Sequence, residues 1–353
     1  MGAVFDRLVS EAGLGLLAVQ FLVCAAVILV AGIRLVRSGD AIGEMLGLNR
    51  AWIGLAFLAV VTSLPELTTS VGSVKVIGIE AADLGVGNAL GASTYNLMIL
   101  AMLDLAQGRG PLLLQVETKH ILSAALSVVM VALVGFGVAL GVAAPQVAGH
   151  AGWIISVLLL VTYLVIMRTL FVFEKRNPDG RLPSGPPRYS SRHRAYLTFA
   201  VSAFFTVAAG IWLVRLGDRL SELPIGGVFL GKTFVGTMIL AVCTTLPEVV
   251  VSVSAFRIGG IDMAVGTIFG SNTCNMVFPA IMDFVTPSGT VFLNVSSVHL
   301  LTALLAISIT MVAVAGLKLR TSRSILNVGW DVAAMVLMYL GGMYAIFVAS
   351  SSG

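Results

Sequence analysis

The sequence predicts an all-α polytopic membrane protein with ten transmembrane helices in two inverted five-helix repeats. Three observations carry this expectation. Only 11% of the 353 residues are charged and 58% are hydrophobic, whereas a soluble domain needs about 25% charged residues to coat its surface. Apolar runs of about 20 residues, long enough to cross a bilayer, recur along the whole chain. The tripeptide Leu-Pro-Glu is written twice, in VVTSLPELTTSV (60–71) and in VCTTLPEVVVSV (242–253).

The expected spans are 13–36, 51–77, 84–107, 119–142, 151–173, 195–217, 233–257, 262–285, 297–317 and 327–349. A closed β-barrel would need alternating polar and apolar residues, which these runs lack. Trp52, Trp153 and Trp330 each fall near the start of a span, as interfacial anchors do. Cys24, Cys243 and Cys274 lie within spans, and their spacing suggests neither zinc nor a disulfide framework, so they read as small packing residues. His120, His150, His193 and His299 lie near span ends and read as interfacial. The opening MGAVFDRLVSEAG has charges but no cleavage site after a short apolar core, so no removed signal peptide is expected. The net charge of +4 belongs with loop charges that orient the chain, and no nucleic acid or obligate protein partner is expected.

Lys and Arg accumulate on the cytoplasmic side of membrane proteins. With the N-terminus outside, the inner loops hold 16 of them: Arg34, Arg37, Arg50, Arg109, Lys119, seven from Arg168 to Arg194, Arg257, Lys318, Arg320 and Arg323. The outer side holds five, namely Arg7, Lys75, Arg215, Arg219 and Lys232. Both termini are therefore expected outside, with the basic loop FEKRNPDGRLPSGPPRYSSRHR in the cytoplasm of a prokaryotic cell whose plasma membrane holds the protein.

That loop divides the chain into a first repeat (1–173), a linker (174–194) and a second repeat (195–353). Aligning residue n with n+182 over 53–72 gives ten identities in twenty positions, among them Thr62, Pro65, Glu66 and Ser70. After a three-residue gap, GNALGASTYNLMILAMLDL (87–105) aligns with GTIFGSNTCNMVFPAIMDF (266–284). The conserved order of Pro, Glu, Asn and Asp within apolar helices marks true repeats, at 51–107 and 233–285. Five helices per half is an odd number, so the second half enters the membrane upside down. Such inversion belongs to secondary transporters, whose sites lie near the midplane where broken helices meet.

Glu66 and Glu248 each lie about fifteen residues into a span, near mid-bilayer, where a charge costs at least ~3 kcal/mol. Pro65 cannot donate to the carbonyl of Val61, nor Pro247 to that of Cys243. In hydrocarbon such carbonyls need a partner, and a cation is one. Thr62 and Ser63 share a turn with Glu66, as Thr244 and Thr245 do with Glu248. Asn88, Ala92 and Asn96 form an i, i+4, i+8 stripe matched by Thr267, Ser271 and Asn275. Gly87, Gly91, Gly266 and Gly270 suit close helix approach. The donor set of Thr62, Ser63, Glu66, Asn96, Thr244, Thr245, Glu248, Ser271 and Asn275 is all oxygen, without a thiolate or histidine cluster. It suits hard cations, Ca²⁺ taking 6–8 oxygens and Na⁺ accepting the same ligands. Asp104 and Asp283, eight residues beyond Asn96 and Asn275, are either helix-end carboxylates or a cation vestibule. No nucleophile–base pair or cofactor motif suggests an enzyme, and no cofactor is expected.

These residues resemble the calcium/cation antiporter superfamily, in its sodium–calcium exchanger branch. Its repeats are similar to G-T-S-x-P-E followed by G-N-x-x-G-S-N-x-x-N/D, here VTSLPE with GNALGASTYN and CTTLPE with GTIFGSNTCN. The resemblance implies an antiporter that alternates Ca²⁺ and Na⁺ at Glu66, Glu248, Asn96 and Asn275, with the first and sixth helices sliding across a four-helix core. It also implies departures: Val61 and Cys243 stand where the family has glycine, Ala92 where it has a serine able to ligate Na⁺, and neither repeat ends in aspartate. A weak Na⁺ site follows from Ala92. An exchanger using H⁺ or K⁺ is the alternative, ahead of a cation channel; the proton-coupled branch typically lacks the Pro-Glu pair.

The charge asymmetry makes a direct prediction. A Gly185→Cys variant should resist an impermeant thiol reagent in intact cells and react once the membrane is opened. Ready labelling in intact cells would reverse the topology.

Overall fold

Prolines and glycines decide where the helices of this chain break and how closely they approach. The computed structural model describes residues 13–45, 59–107, 111–176, 191–225, 228–257, 259–286, 289–320, 324–325 and 328–351. The anchor expected at Trp52, the start of the 51–77 span and most of the 174–194 linker lie outside them.

The first half of the chain forms α1 (Leu14–Met45), α2 (Ala59–Thr62), α3 (Leu64–Gly72), α4 (Ala82–Gln107), α5 (His120–Ala143) and α6 (Pro145–Arg176). The second forms α7 (Arg192–Glu222), α8 (Lys232–Phe234), α9 (Ala241–Thr244), α10 (Leu246–Arg257), α11 (Ile261–Asn275), α12 (Phe278–Val285), α13 (Val298–Leu319) and α14 (Trp330–Ser351). Wide π-helical turns at Ser73–Ile77 and Val235–Leu240 extend α3 and join α8 to α9. The extended elements are two antiparallel pairs, β1 (Pro224–Ile225) with β2 (Val228–Phe229) and β3 (Ser324–Ile325) with β4 (Val328–Gly329). The described residues are thus almost wholly helical.

Seven stretches among the described residues are long and apolar enough to cross a membrane, and the bent pair Lys232–Thr244 and Leu246–Arg257 makes an eighth. The chain is an integral membrane protein. The expected spans at 51–77 and 262–285 are not continuous helices. The first is interrupted at Ser63, between α2 and α3. The second breaks between Asn275 and Phe278, because Pro279 near the start of α12 has no N–H for the Asn275 carbonyl.

The centre of the fold is α4. Its apolar window is 78% buried, against 28–44% for the other six long helices. Those present lipid-facing side chains such as Leu22 on α1, Phe204 on α7 and Leu337 on α14. One face of α4 packs Val86, Ala89 and Leu90 into a cluster with Met130 and Val134 of α5 and Phe278 of α12. Another packs Leu97, Leu100 and Leu103 with Ile268 of α11, Ile309 of α13 and Met335 of α14. Within lipid, such contacts stabilise through van der Waals packing more than through removal from water. Small residues permit the closest approach. A Cβ on Gly91 would overlap the carbonyl of Thr237, and one on Gly236 would come within 2.6 Å of the Leu84 carbonyl. The backbone of α4 and the 235–240 turn therefore touch directly, the packing role expected of Gly91.

Carboxylates fasten the ends of these helices, and they do so twice. His299 Nε2 lies 2.9 Å from Asp83 Oδ1, and His120 Nε2 lies 3.3 Å from Asp262 Oδ1. The Ser296 amide donates to Asp83 (2.6 Å) and the Glu117 amide to Asp262 (2.8 Å). Each residue of one set lies 179 positions from its counterpart in the other. His120 and His299 do start helices, as expected of span ends, yet both are buried and held by an aspartate. Cys24, Cys243 and Cys274 are free and buried, in accord with a packing role.

Asp104 and Asp283 are buried helix-end carboxylates rather than a vestibule. Asp104 accepts from the amides of Leu112 and, at 2.9 Å, Gly329. Asp283 accepts from the Val291 amide and the Ser156 hydroxyl, both at 2.7 Å. With both oxygens of each committed, to the turns and, for Asp283, also to Ser156 of α6, neither is available to an ion. Asp104→Ala and Asp283→Ala should each cost about 2–4 kcal/mol, the penalty of leaving two buried donors unpaired. Thermal melts of the purified variants check this; an unchanged melting temperature in both would contradict it.

Candidate cation site

The two Leu-Pro-Glu segments fold alike because proline leaves the same gap in each. Ser63 ends one α-helical turn with φ −82° and ψ 12°, and Thr245 ends the other with φ −81° and ψ 1°. In each case the chain restarts as a helix with proline in its first turn and glutamate directly after it. Glutamate in a first helical turn also faces the positive end of the helix dipole.

Each restart carries its glutamate to the other half. Ser63 Oγ donates to Glu248 Oε1 at 3.4 Å. Thr245 Oγ1 lies 3.0 Å from Glu66 Oε1 and 2.7 Å from the Ala241 carbonyl, and divides its proton between them. The reciprocal contacts bring both carboxyl groups to one place, and both are wholly buried. Among the described residues neither has an ion pair. Oε2 of each glutamate is buried with no hydrogen-bond partner.

The remaining expected residues gather around this pair. Thr62 Oγ1 lies 3.2 Å from Ser271 Oγ, joining α2 to α11. Thr244 Oγ1 lies 3.1 Å from Asn88 Oδ1. Asn96 and Asn275 are wholly buried; Oδ1 of Asn96 and both polar atoms of Asn275 lack partners. All nine residues read from the sequence are therefore buried. Hydrogen bonds tie Ser63 and Thr245 to the two glutamates and Thr62 to Ser271, while Asn96 and Asn275 contribute unpartnered oxygens.

Two further residues shape the site. Asn88 donates to the Glu66 carbonyl and to Ser70 Oγ, each at 3.2 Å, and so ties α3 to α4 beneath the carboxylate. Asn272 accepts from Asn96 Nδ2 at 2.9 Å. In the sequence Asn88 belongs to the polar stripe and Asn272 to the second motif; the signal in both cases is an amide in an apolar helix.

The halves are not equivalent. The position matching Asn88 is Thr267, whose hydroxyl turns back to the Met263 carbonyl, and Ser252 Oγ, matching Ser70, has no partner. Ala92 is the counterpart of Ser271 in the other repeat and offers no hydroxyl.

A cluster of this kind can hold a hard cation. Unpaired carboxylate oxygens inside a membrane are costly unless something positive meets them, and the surrounding acceptors are amide and hydroxyl oxygens suited to a hard cation.

The sequence pattern of the family described as sodium/calcium exchanger protein matches residues 16–172 and 194–351, nearly the whole chain. The protein belongs to the sodium/calcium exchanger family. Like this exchanger family member, an uncharacterised membrane protein of Methanocaldococcus jannaschii, MJ0091, is related, 24% identical over 244 residues (68% of this chain, 72% of that one). The inner membrane protein YrbG of Escherichia coli is 25% identical over 249 residues (69% and 72%). The fold is shared with the H⁺/Ca²⁺ exchanger CAX, at TM-score 0.65 and 14% identity, covering 95% of this chain and 85% of the other. It is shared too with the sodium–calcium exchanger NCX_Mj, at TM-score 0.57 and 17% identity, covering 93% and 98%. Exchangers of this family are transporters, and the chain is one of them.

Proposed function

We propose that this exchanger is a secondary active antiporter that carries Ca²⁺ in exchange for Na⁺ by alternating access. Its ten membrane passes then form two inverted five-helix repeats, with the ions held at the midplane by Glu66, Glu248, Asn96 and Asn275. Thr62, Ser63, Thr244, Thr245 and Ser271 supply or orient the surrounding oxygens. The observation that carries this reading is the pair of buried, unpartnered Oε2 atoms on glutamates held by each other's repeat. Two negative oxygens balance one divalent ion, and two monovalent ions balance them equally well. The broken, duplicated backbone gives each half the same hinge in opposite orientation, which is what access from alternate sides requires. The protein sits in a prokaryotic plasma membrane with both termini outside.

A second reading concerns the coupling ion. Ala92 presents a methyl group, and the Thr244 hydroxyl contacts Asn88 instead of a serine at that position. The Na⁺ coordination available on that side is correspondingly poor, which favours H⁺ or K⁺ as a co-driving ion.

Glu66→Gln and Glu248→Gln test the assignment in purified protein reconstituted into liposomes. Replacing a charged oxygen by a neutral one removes about 1.5–3 kcal/mol of contact, an affinity loss of about 10- to 150-fold. Each variant should therefore lose nearly all Ca²⁺ flux while remaining folded. Wild-type flux in both would overturn the site.

A further inference from the structure

Asn96 and Asn275 occupy matching positions in the two repeats, 179 residues apart, yet their surroundings differ. Asn96 donates from Nδ2 to Asn272 Oδ1 at 2.9 Å, and Asn272 in turn donates from Nδ2 to the Ser93 carbonyl at 3.1 Å. A carbonyl can only accept, so it dictates which end of the Asn272 amide faces it. Asn272 must then turn its oxygen to Asn96, and Asn96 must answer with its NH₂ group. The orientation is handed from backbone to side chain to side chain. At its end stands Asn96 Oδ1, buried and free of any other partner.

Asn275 has no such chain. The position matching Asn272 is Ser93, whose hydroxyl is spent on the Ala89 carbonyl at 3.2 Å. Both Oδ1 and Nδ2 of Asn275 lack partners, so its amide turns without breaking a bond. Asn275 is also the last residue of α11, where the helix breaks ahead of Pro279, whereas Asn96 lies within the continuous α4.

We propose that Asn272 is a positioning residue that locks Asn96 with its carbonyl oxygen toward the transported cation, leaving Asn275 as the one amide ligand free to reorient. The inference rests on the exchanger function proposed above and adds a division of labour to it. α4 provides a fixed ligand, and the broken α11 an adjustable one. An amide facing the wrong way offers a cation its NH₂ group, so an unlocked Asn96 binds only in the fraction of molecules where it happens to point correctly.

The test exploits a ligand that cannot point the wrong way. Asn272→Ser, which copies the residue at the matching position, is made in the wild type and in an Asn96→Asp background, where both carboxylate oxygens accept. Half-saturating Ca²⁺ is measured for exchange in proteoliposomes. Asn272→Ser should raise it about three- to tenfold in the wild-type background, the inverse of the correctly oriented fraction, with maximal rate little changed. In the Asn96→Asp background the same substitution should leave it unchanged or lower it. Equal weakening in both backgrounds would mean that Asn272 merely packs, and would overturn the proposal. If Asn272→Ser does not fold, Asn272→Thr replaces it and is read by the same two backgrounds: weakening confined to the wild-type background supports the lock, and equal weakening in both overturns it. A wild-type protein with no saturable Ca²⁺ exchange would instead overturn the exchanger reading itself.

Discussion

Two buried carboxyl groups, without a basic partner among the described residues, form the constraint on which the rest of this structure depends. Glu66 and Glu248 are wholly buried, and each keeps one oxygen unbonded. A protein tolerates this arrangement only if the surrounding helices fix the groups so firmly that they cannot retreat to a neutral, self-satisfied packing. Firmness comes from reciprocity. The hydroxyl that steadies each glutamate comes from the break preceding the other, so the two halves hold one another's carboxyl group. Proline supplies the break, and the glycine-lined face of α4 brings the second repeat's 235–240 turn into backbone contact behind it.

The periphery follows the same cross-repeat scheme. Asp83 with His299 and Asp262 with His120 tie the starts of α4 and α11 to helices of the opposite half. Asp104 and Asp283 anchor the turns beyond the other ends of the same segments. Acidic residues in this exchanger therefore divide by what meets them. Those whose oxygens are filled by amides, hydroxyls or imidazoles fasten the frame, and the two left with a bare oxygen form the proposed ion site. The asymmetry lies in the amides. Asn88 bonds to the Glu66 carbonyl in the first half where Thr267 turns back to its own helix in the second, and Asn272 bonds to Asn96 while neither polar atom of Asn275 has a hydrogen-bond partner.

Much of the candidate site could be read from the sequence because its chemistry contradicts its surroundings. Proline and glutamate in an apolar run stand out, and their duplication located Glu66, Glu248 and the neighbouring hydroxyls. Seven of the expected spans appear as long helices for the equally simple reason that composition and length decide membrane crossing. The break at Asn275 was less legible, since Pro279 has no counterpart in the first repeat and lies in an otherwise strong apolar stretch. The histidine–aspartate ties were present as matches at an offset of 179, but span-end position alone made His120 and His299 look interfacial. The direction of the Asn96 amide could not be read at all, because it depends on a neighbour 176 residues away.

The central claim is that a cation, carried in exchange for another, is what the bare oxygens await. It is tested most directly by ⁴⁵Ca²⁺ uptake into liposomes containing the purified protein, with Na⁺, K⁺ or H⁺ gradients imposed one at a time. Saturable uptake that appears only with an outward gradient of a counter-ion is the predicted result. Uptake that proceeds without any counter-ion and rises linearly with Ca²⁺ would describe a pore, and would contradict it.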